Sequence, residues 1–327
     1  MHAYKSRTSL ERLTQGVAFA LHTMTALLPD LHCRTSKSRS LLRLLAALFC
    51  WAAVAAQAHE FWLMPQSFSV PPAEKFLLEL RVGAGWPGES LGRNPAYVER
   101  FGLIESAAVE RPVGGEPGGD PAGVVTAKNA GPAWTVFRSK RSALTLAADK
   151  FESYLRDEGL EAIIDTRRLS GTSQAAGREL YSRCAKALLQ VGSGHKTASA
   201  MLKRNTGLTL ELIPQTDPQP LRGGGAFTVQ LLYLNKPLRG ALVKALPQFQ
   251  AGETTTPAAA PAPAPAPAPQ ITGRTDAQGR VTLPLSHGGV WLINAVHMVA
   301  APPQLGADWE SVWSSLVFEV PGFAARP

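Results

Sequence analysis

The stretch TGRTDAQGRVTLPLSHGGVWLINA, residues 272–295, carries the clearest fold signal in the sequence. Two apolar runs, 280–285 and 289–295, are separated by a Gly-containing turn, and Thr-Asp-x-x-Gly marks a tight turn before them. Upstream, NKPLRGALV (235–243) contains a Pro-Leu turn that leads into another apolar run. Together these patterns predict antiparallel strands in an Ig-like or transthyretin-like sandwich.

Further strand-like segments lie on both sides of this stretch. They are KFLLELRVG (75–83), AWTVFR (133–138), ALTLAA (143–148), LTLELIP (208–214), AFTVQLLYL (226–234), ALVKALP (241–247) and SVWSSLVFEV (311–320). We therefore predict a mainly β protein with antiparallel sandwich domains and a small helical insertion. The predicted domains are an N-terminal β domain, 59–206, and a C-terminal sandwich, 207–327.

A proline-rich segment interrupts the C-terminal domain. TTTPAAAPAPAPAPAPQ, residues 254–270, has proline at alternate positions, which cannot pair in a sheet and favours polyproline II. We expect an extended surface loop that interrupts one domain without separating two.

In residues 149–192 the apolar residues recur at a different spacing from that of the strand-like segments. DKFESYLRDEGLEAIID (149–165) has apolar residues at helical spacing, and GRELYSRCAKALLQVG (177–192) places Leu180, Cys184 and Leu188 four apart. The pattern predicts a helical hairpin over 149–192. Cys184 would then be a packed small hydrophobic residue rather than a reactive thiol.

The first 58 residues are typical of an N-terminal extension followed by a cleaved signal peptide. Four basic residues between 34 and 43 precede an apolar run, 44–56, that is too short to span a bilayer, and Ala56-Gln57-Ala58 fits a cleavage site. We expect cleavage before His59, export to the periplasm, and no stable membrane span afterwards.

The basic charge of the chain comes mainly from this leader. Residues 1–58 hold seven Lys or Arg and two acids, so they carry +5 of the formal net charge of +8. The remaining +3 gives no reason to expect a nucleic-acid partner. Cys184 is the single cysteine after residue 58, so no intramolecular disulfide is expected there.

Six segments together resemble one family. They are AHEFWLMP (58–65), FESYLRDEGL (151–160), RELYSRCAKALLQVG (178–192), GLTLELIPQTDP (207–218), TDAQGRVTLPL with GGVWLINAVHM (275–298), and DWESVWSSLVFEV (308–320). As a set they resemble the domain of unknown function 4198 family of exported bacterial proteins. Some members are labelled periplasmic components of nickel or cobalt uptake systems. The resemblance implies a periplasmic metal-handling or binding protein, with an inner-membrane metal permease as a possible partner and no established catalysis.

His59 carries the sharpest chemical hypothesis. As a mature N-terminal residue it would offer its α-amine and its imidazole, and both lose protons near neutrality when a metal competes for them. A third nitrogen would complete a set that suits Cu(II), Ni(II) or Co(II). The alternative is that His59 is merely the first residue of a strand.

The predicted metal ligands are His59, His297 and His287. His297 lies on the strand face shared with Trp291 and Ile293, so it is also compatible with a core side chain. His287 lies in a turn and His195 in a polar loop, where a solvated histidine is the ordinary expectation. Glu60 could add an oxygen ligand, but an acid at this position is expected to be exposed.

The sequence contains no HExxH, CxxC, G-x-S-x-G or Walker pattern, so we do not expect an enzyme. Two alternatives to the metal-binding hypothesis remain. One is a non-catalytic carbohydrate- or protein-binding module, and the other is a copper oxidase. Trp309 and Trp313 could form a sugar platform, although packing is the ordinary role of tryptophans in a strand.

Overall fold

The computed structural model describes residues 60–106, 109–192, 199–221, 224–248 and 270–322. The strands of its first part are β1 (Glu60–Pro65), β2 (Ser69–Val70), β3 (Lys75–Gly83), β4 (Glu89–Leu91), β5 (Val98–Ile104), β6 (Glu110–Pro112), β7 (Gly123–Thr126), β8 (Gly131–Ser139), β9 (Ser142–Leu146) and β10 (Gly177–Val191). Those of its second part are β11 (Leu210–Pro214), β12 (Gly225–Tyr233), β13 (Lys236–Pro237), β14 (Leu242–Pro247), β15 (Ile271–Arg274), β16 (Arg280–Leu285), β17 (Gly289–Ala300) and β18 (Trp309–Val320).

Helices are few in these residues. They are α1 (Ala148–Asp157), α2 (Glu161–Leu169), α3 (Ser199–Leu202) and a 3₁₀ turn, Pro303–Leu305. No helix in the described ranges has the length and apolar character needed to cross a membrane.

A ten-stranded central sheet organises the described residues. Its main path runs β15-β14-β17-β18-β10-β8-β5-β6, and β2 and β9 also pair with β10. The β10–β18 and β2–β10 pairs are parallel, and the other pairs of this sheet are antiparallel. Strands from both predicted domains therefore hydrogen-bond in one sheet, which continues across the predicted boundary at 206/207.

Two smaller sheets cover opposite faces of the central sheet. Sheet A contains β1, β3, β4 and β7, and sheet C contains β11, β12, β13 and β16. Alternate residues of the central strands enter the two cores: Leu292 and Val317 pack with sheet A, whereas Ile293 and Leu316 pack with sheet C. This alternation follows from the period of two in a strand and explains why the central strands are apolar on both faces.

The helices α1 and α2 pack on the same face as sheet A, farther along the strands. Phe151, Tyr154 and Leu155 of α1 are buried against Val296 and Trp313. Their i, i+3, i+4 spacing forms one apolar stripe on the helix, as the sequence predicted. The predicted packing role of Trp309 and Trp313 is also confirmed, since both are buried in this core.

The prediction of a helix over 177–192 is wrong, because these residues form β10. A spacing of four residues fits a strand as well as a helix, since it is a multiple of two. Cys184 and Leu188 accordingly share the sheet C face of β10. The prediction that Cys184 packs as a small hydrophobic residue is confirmed, and burial raises the pKa of its thiol.

A buried ion pair fastens sheet C to the central sheet. Lys186 Nζ of β10 lies 2.8 Å from Glu211 Oε1 of β11, and the ammonium sits over the Trp134 ring. Glu211 also accepts hydrogen bonds from the main chain of residues 206–208. Burial alone would raise the pKa of Glu211, but Lys186 and these donors outweigh it and the pKa is lowered.

The predicted fold class is confirmed: the protein is mainly β, with largely antiparallel sheets packed face to face and a small helical insertion. The predicted signal peptide, most of the proline-rich segment and His195 lie outside the described residues.

Candidate functional site

A row of polar side chains crosses the central sheet between the sheet A core and the core under α1 and α2. We call Lys244, Asn294 and Ser315 the polar row. Lys244 is the Cα partner of Asn294, and Asn294 is the partner of Ser315, so the three share one face. Along β17 this face continues to Leu292 in one direction and Val296 in the other, which belong to the two cores. The polar row is therefore enclosed by apolar packing at both ends.

Two carboxylates accompany the polar row. Glu60 begins β1, Glu158 follows α1, and their exposed fractions are 8% and 6%, beside 7% for Lys244. Lys244 Nζ lies 2.7 Å from Glu158 Oε1. Burial raises the pKa of Glu158, Lys244 opposes that rise, and repulsion from nearby Glu60 adds to it.

The charges of this group do not cancel. With Glu60, Glu158 and Lys244 all ionised, two negative charges face one positive charge. An uncompensated buried charge is costly, so either a carboxyl takes up a proton or a further cation joins the group. The pKa of Glu158 is raised mainly by burial and to a smaller extent by Glu60, and this direction favours the protonated carboxyl.

The polar row also has unused hydrogen-bonding capacity. Asn294 Oδ1 and Ser315 Oγ are buried and have no hydrogen-bond partner among the described residues. Buried polar atoms are nearly always satisfied by protein, water or a ligand, so these two oxygens mark an incomplete environment. Both are oxygen donors of a kind that can hold a cation or a water molecule.

Strand β1 brings Glu60 to this place because its side chains anchor it from both sides. Phe61 packs against Phe137, with ring centroids 5.1 Å apart, and under the Arg183 guanidinium. Trp62 is fully buried and packs edge-on against Trp86. The expectation that Glu60 is exposed is wrong, because the edge strand of sheet A lies over the central sheet instead of at the surface.

The predicted histidine ligands do not meet in the described structure. His59 lies outside the described residues. His297 packs edge-on against Tyr233 of β12, with centroids 4.4 Å apart, so it lies on the sheet C face, opposite the polar row. Burial lowers the pKa of His297. His287 sits in the turn before β17, against Trp291. Trp291, against which His287 packs, is six residues of extended strand from His297, or about 20 Å, so the two histidines are too far apart to share one metal.

Within the described ranges, no three His, Cys, Asp or Glu side chains come together as a metal-binding group. Glu60 and Glu158 supply two carboxylates, and a third donor would have to come from another kind of group or from the undescribed part of the chain.

Sequence reasoning missed Glu158, Lys244, Asn294 and Ser315. Lys244 lies in the apolar strand ALVKALP and Asn294 in the apolar strand GVWLINAVHMVA. A polar residue at an inward position of an apolar strand is rare without a partner, so these two positions did carry a signal. Which partner each one finds depends on contacts between distant segments, which the sequence does not display.

A further buried carboxyl, Glu179, lies under the helices. Glu179 Oε1 accepts hydrogen bonds from Tyr154 Oη, at 3.1 Å, and from Ser311 Oγ. Burial raises the pKa of Glu179, and the hydrogen bonds from Ser311 and Tyr154 only partly offset it. Glu179 Oε2 has no hydrogen-bond partner in the described part of the chain. This group connects α1 to the central sheet, so we assign it a structural role.

Two solved structures with which this chain was compared are remote likenesses. Trypsin-activated alpha-2-macroglobulin from Escherichia coli is 9% identical over 79% of this chain and 15% of that chain, with a TM-score of 0.18. The adhesin InvE of Yersinia pseudotuberculosis is 12% identical over 81% of this chain and 63% of that chain, with a TM-score of 0.17. Neither likeness bears on the fold or the function at these scores.

A search of curated proteins found no match. A family profile, described as Domain of unknown function (DUF4198), matches residues 56–299. The match spans sheet A, the helical insertion, most of the central sheet and the polar row up to Asn294. The chain belongs to the DUF4198 family.

Proposed function

We propose that this chain is an exported, periplasmic metal-binding protein that serves nickel or cobalt uptake. In this proposal the signal peptide is removed before His59, and the new N-terminus binds a divalent ion, Ni(II), Co(II) or Cu(II). An inner-membrane permease would be the partner that receives the ion.

The observation that carries the proposal is the excess of buried negative charge beside Glu60. Consecutive Cα atoms are about 3.8 Å apart, so a metal bound by the amine and imidazole of His59 would lie close to Glu60. The Glu60 and Glu158 carboxylates together outnumber Lys244 there. A divalent cation would supply the missing positive charge.

The proposed donor set differs from the one expected from the sequence. It comprises the amine and imidazole of His59 with carboxylate oxygens of Glu60 and Glu158. Nitrogen and oxygen donors in such a mixture suit Cu(II), Ni(II) and Co(II). His297 is left out because it packs on the opposite face of the central sheet, against Tyr233. His287 is left out because it lies in a turn at the start of β17.

The test begins with N-terminal sequencing of the exported protein, followed by calorimetric titration with Ni(II), Co(II) and Cu(II). We expect a start at His59, one binding site, and affinity that decreases in Glu60→Gln and Glu158→Gln. Glu110→Gln is the matched control, since it removes a carboxylate from an ion pair with Arg100 elsewhere. Equal affinity in all three variants would exclude the carboxylates as ligands, and a start other than His59 would exclude the chelate.

A further inference from the structure

A polar cleft of about 540 Å³ lies on the sheet C side of the central sheet, away from the polar row. Its lining includes Tyr233 of β12 and residues 138–141, around the turn between β8 and β9. Glu310 and Val312 of β18 also line it. Neither the family match nor the proposed metal site accounts for this cleft.

Two guanidinium groups in the cleft are held in fixed orientations. Arg138 donates from Nε and Nη2 to the two oxygens of Glu99, each at 3.0 Å. Arg141 donates from Nε to Glu310 Oε1 at 2.7 Å, and its Nη2 lies at the same distance from that oxygen. In both cases Nη1 has no hydrogen-bond partner among the described residues. Each arginine therefore keeps donors available on a side chain that a carboxylate has already positioned.

The cleft also carries an excess of positive charge. Arg138, Lys140 and Arg141 bring three positive charges, and Glu99 and Glu310 bring two negative ones. Lys140 is exposed, and its ammonium makes no ion pair within the described residues. This surplus favours an anionic occupant, because oriented donors of one sign concentrate ligands of the other.

Tyr233 gives the cleft an aromatic wall. Burial raises the pKa of its hydroxyl, and the charges of Glu310 and Arg141 also act on it, so both charged side chains lie near the phenol. His297 packs edge-on behind the Tyr233 ring. A cleft that combines an aromatic ring with oriented cationic side chains suits a small molecule that has a flat or ring-shaped body and an anionic group.

We propose that this cleft binds a small sugar-like molecule that bears a carboxylate or phosphate group. The anionic group lies between Lys140 and Nη1 of Arg141, and the ring of the ligand packs against Tyr233. The site is independent of the proposed metal site, since the two lie on opposite faces of the central sheet.

Three probes with the same kind of ring separate the possibilities: glucuronate, glucose 6-phosphate and uncharged glucose. The full mature chain, labelled with ¹⁵N, is titrated with each probe and followed by NMR. We expect saturable shifts at residues around the β8–β9 turn for at least one anion and none for glucose. The anion with the greater affinity identifies the preferred group. Raising the salt concentration should weaken binding.

Arg141→Gln should weaken binding of that anion by about tenfold or more, because a charge-assisted hydrogen bond is lost. Arg178→Gln is the matched control, since it removes an arginine from an exposed ion pair with Asp308 outside the cleft. Circular dichroism checks that both variants fold. The proposal is overturned if neither anion produces shifts at the turn, if glucose binds as tightly, or if the two variants weaken binding equally.

Discussion

Lys244 and Glu158 form an ion pair buried between two apolar cores, and a third charge, Glu60, lies close by. Removing one member of a buried pair leaves the other uncompensated, which costs about 3–5 kcal/mol of stability. Lys244 therefore stabilises the fold when no metal is bound. The same ammonium would repel a divalent cation that binds Glu158, so its contributions to stability and to metal affinity have opposite signs.

We predict that Lys244→Met lowers the free energy of unfolding but tightens binding of Ni(II) or Cu(II) by about tenfold, or 1.4 kcal/mol. Calorimetric titration measures the affinity, and chemical denaturation measures the stability. Lys186→Met is the control, because it removes the other buried lysine, paired with Glu211. It should lose stability with no change in metal affinity. Weaker metal binding in Lys244→Met would contradict the competition between lysine and metal.

Glu179 should make stability depend on pH in a defined direction. Its folded pKa is raised by burial, so the folded state favours the protonated carboxyl. The contribution of Glu179 to the free energy of unfolding is fully favourable below the pKa of the unfolded state, about 4.3. It is lost as the pH rises through the higher pKa of the folded state.

We predict that Glu179→Gln removes this loss, so that the variant has a flatter profile of unfolding free energy against pH above about pH 4.3. Urea denaturation at a series of pH values measures it. Glu110→Gln, in a partly exposed ion pair, should keep the profile of the original protein. An unchanged slope in Glu179→Gln would mean that this carboxyl is not the group responsible.

At the scale of elements, the sequence predicted nine of the eighteen strands in the described residues, and helical structure over 149–165, where α1 and the first half of α2 lie. It assigned β10 to a second helix, which is wrong. Segments with alternating apolar residues, bounded by turn residues, were recognisable as strands because successive side chains of a strand point to opposite faces of the sheet. In β10, Leu180, Cys184 and Leu188 fit both periods, so their spacing did not distinguish a strand from a helix. Lys186 of this strand is buried and pairs with Glu211 on β11. A contact between separate segments thus decided the structure of β10.

The connection between α1 and α2 shows where backbone conformation and packing act together. Gly159 has φ of +66°, and a Cβ there would lie 2.7 Å from Leu242 Cβ. Gly171, after α2, has φ of +69° with no atom within 4 Å of a Cβ. An alanine at Gly171 would therefore meet only the cost of the left-handed conformation, whereas an alanine at Gly159 would also meet steric crowding.

We predict that Gly171→Ala destabilises the protein by about 1–2 kcal/mol, the cost of the left-handed conformation alone. Gly159→Ala should cost about 1–3 kcal/mol more, because β14 must also move to accommodate the methyl group. Thermal denaturation of the two variants provides the comparison. Equal losses would show that Leu242 can move freely at this contact.

At the scale of the whole molecule, the polar row and its carboxylates come from β1, α1, β14, β17 and β18. The sequence located the N-terminal strand and drew attention to Glu60, but it placed Glu60 at the surface. The site exists because a shared central sheet brings early and late strands together, and sheet pairing between such distant segments is not encoded in any local pattern. The sequence placed His297 on the strand face shared with Trp291 and Ile293, and the structure confirms this. Which sheet covers that face was decided by tertiary packing.

The proline-rich segment should be dispensable for this assembly. It connects β14 to β15, which are already paired, with Ala245 opposite Ile271. We predict that deleting residues 257–269 changes the unfolding free energy by less than about 1 kcal/mol, because each doubling of loop length costs only about 0.6 kcal/mol. Thermal denaturation and metal titration should both resemble those of the intact chain. A large drop in melting temperature would show that the segment packs against the sheets.

The central claim is that the mature N-terminus binds a metal, and one added residue tests it most directly. Protein that starts at His59 is compared with a variant that carries a single alanine before His59, by titration with Cu(II) and Ni(II). The added residue moves the free amine out of chelating reach and leaves Glu60, Glu158 and the fold in place. We predict that the variant folds normally but binds far more weakly, and that affinity of the native start decreases as pH falls through the histidine range. Equal affinity of the two proteins would contradict the N-terminal chelate.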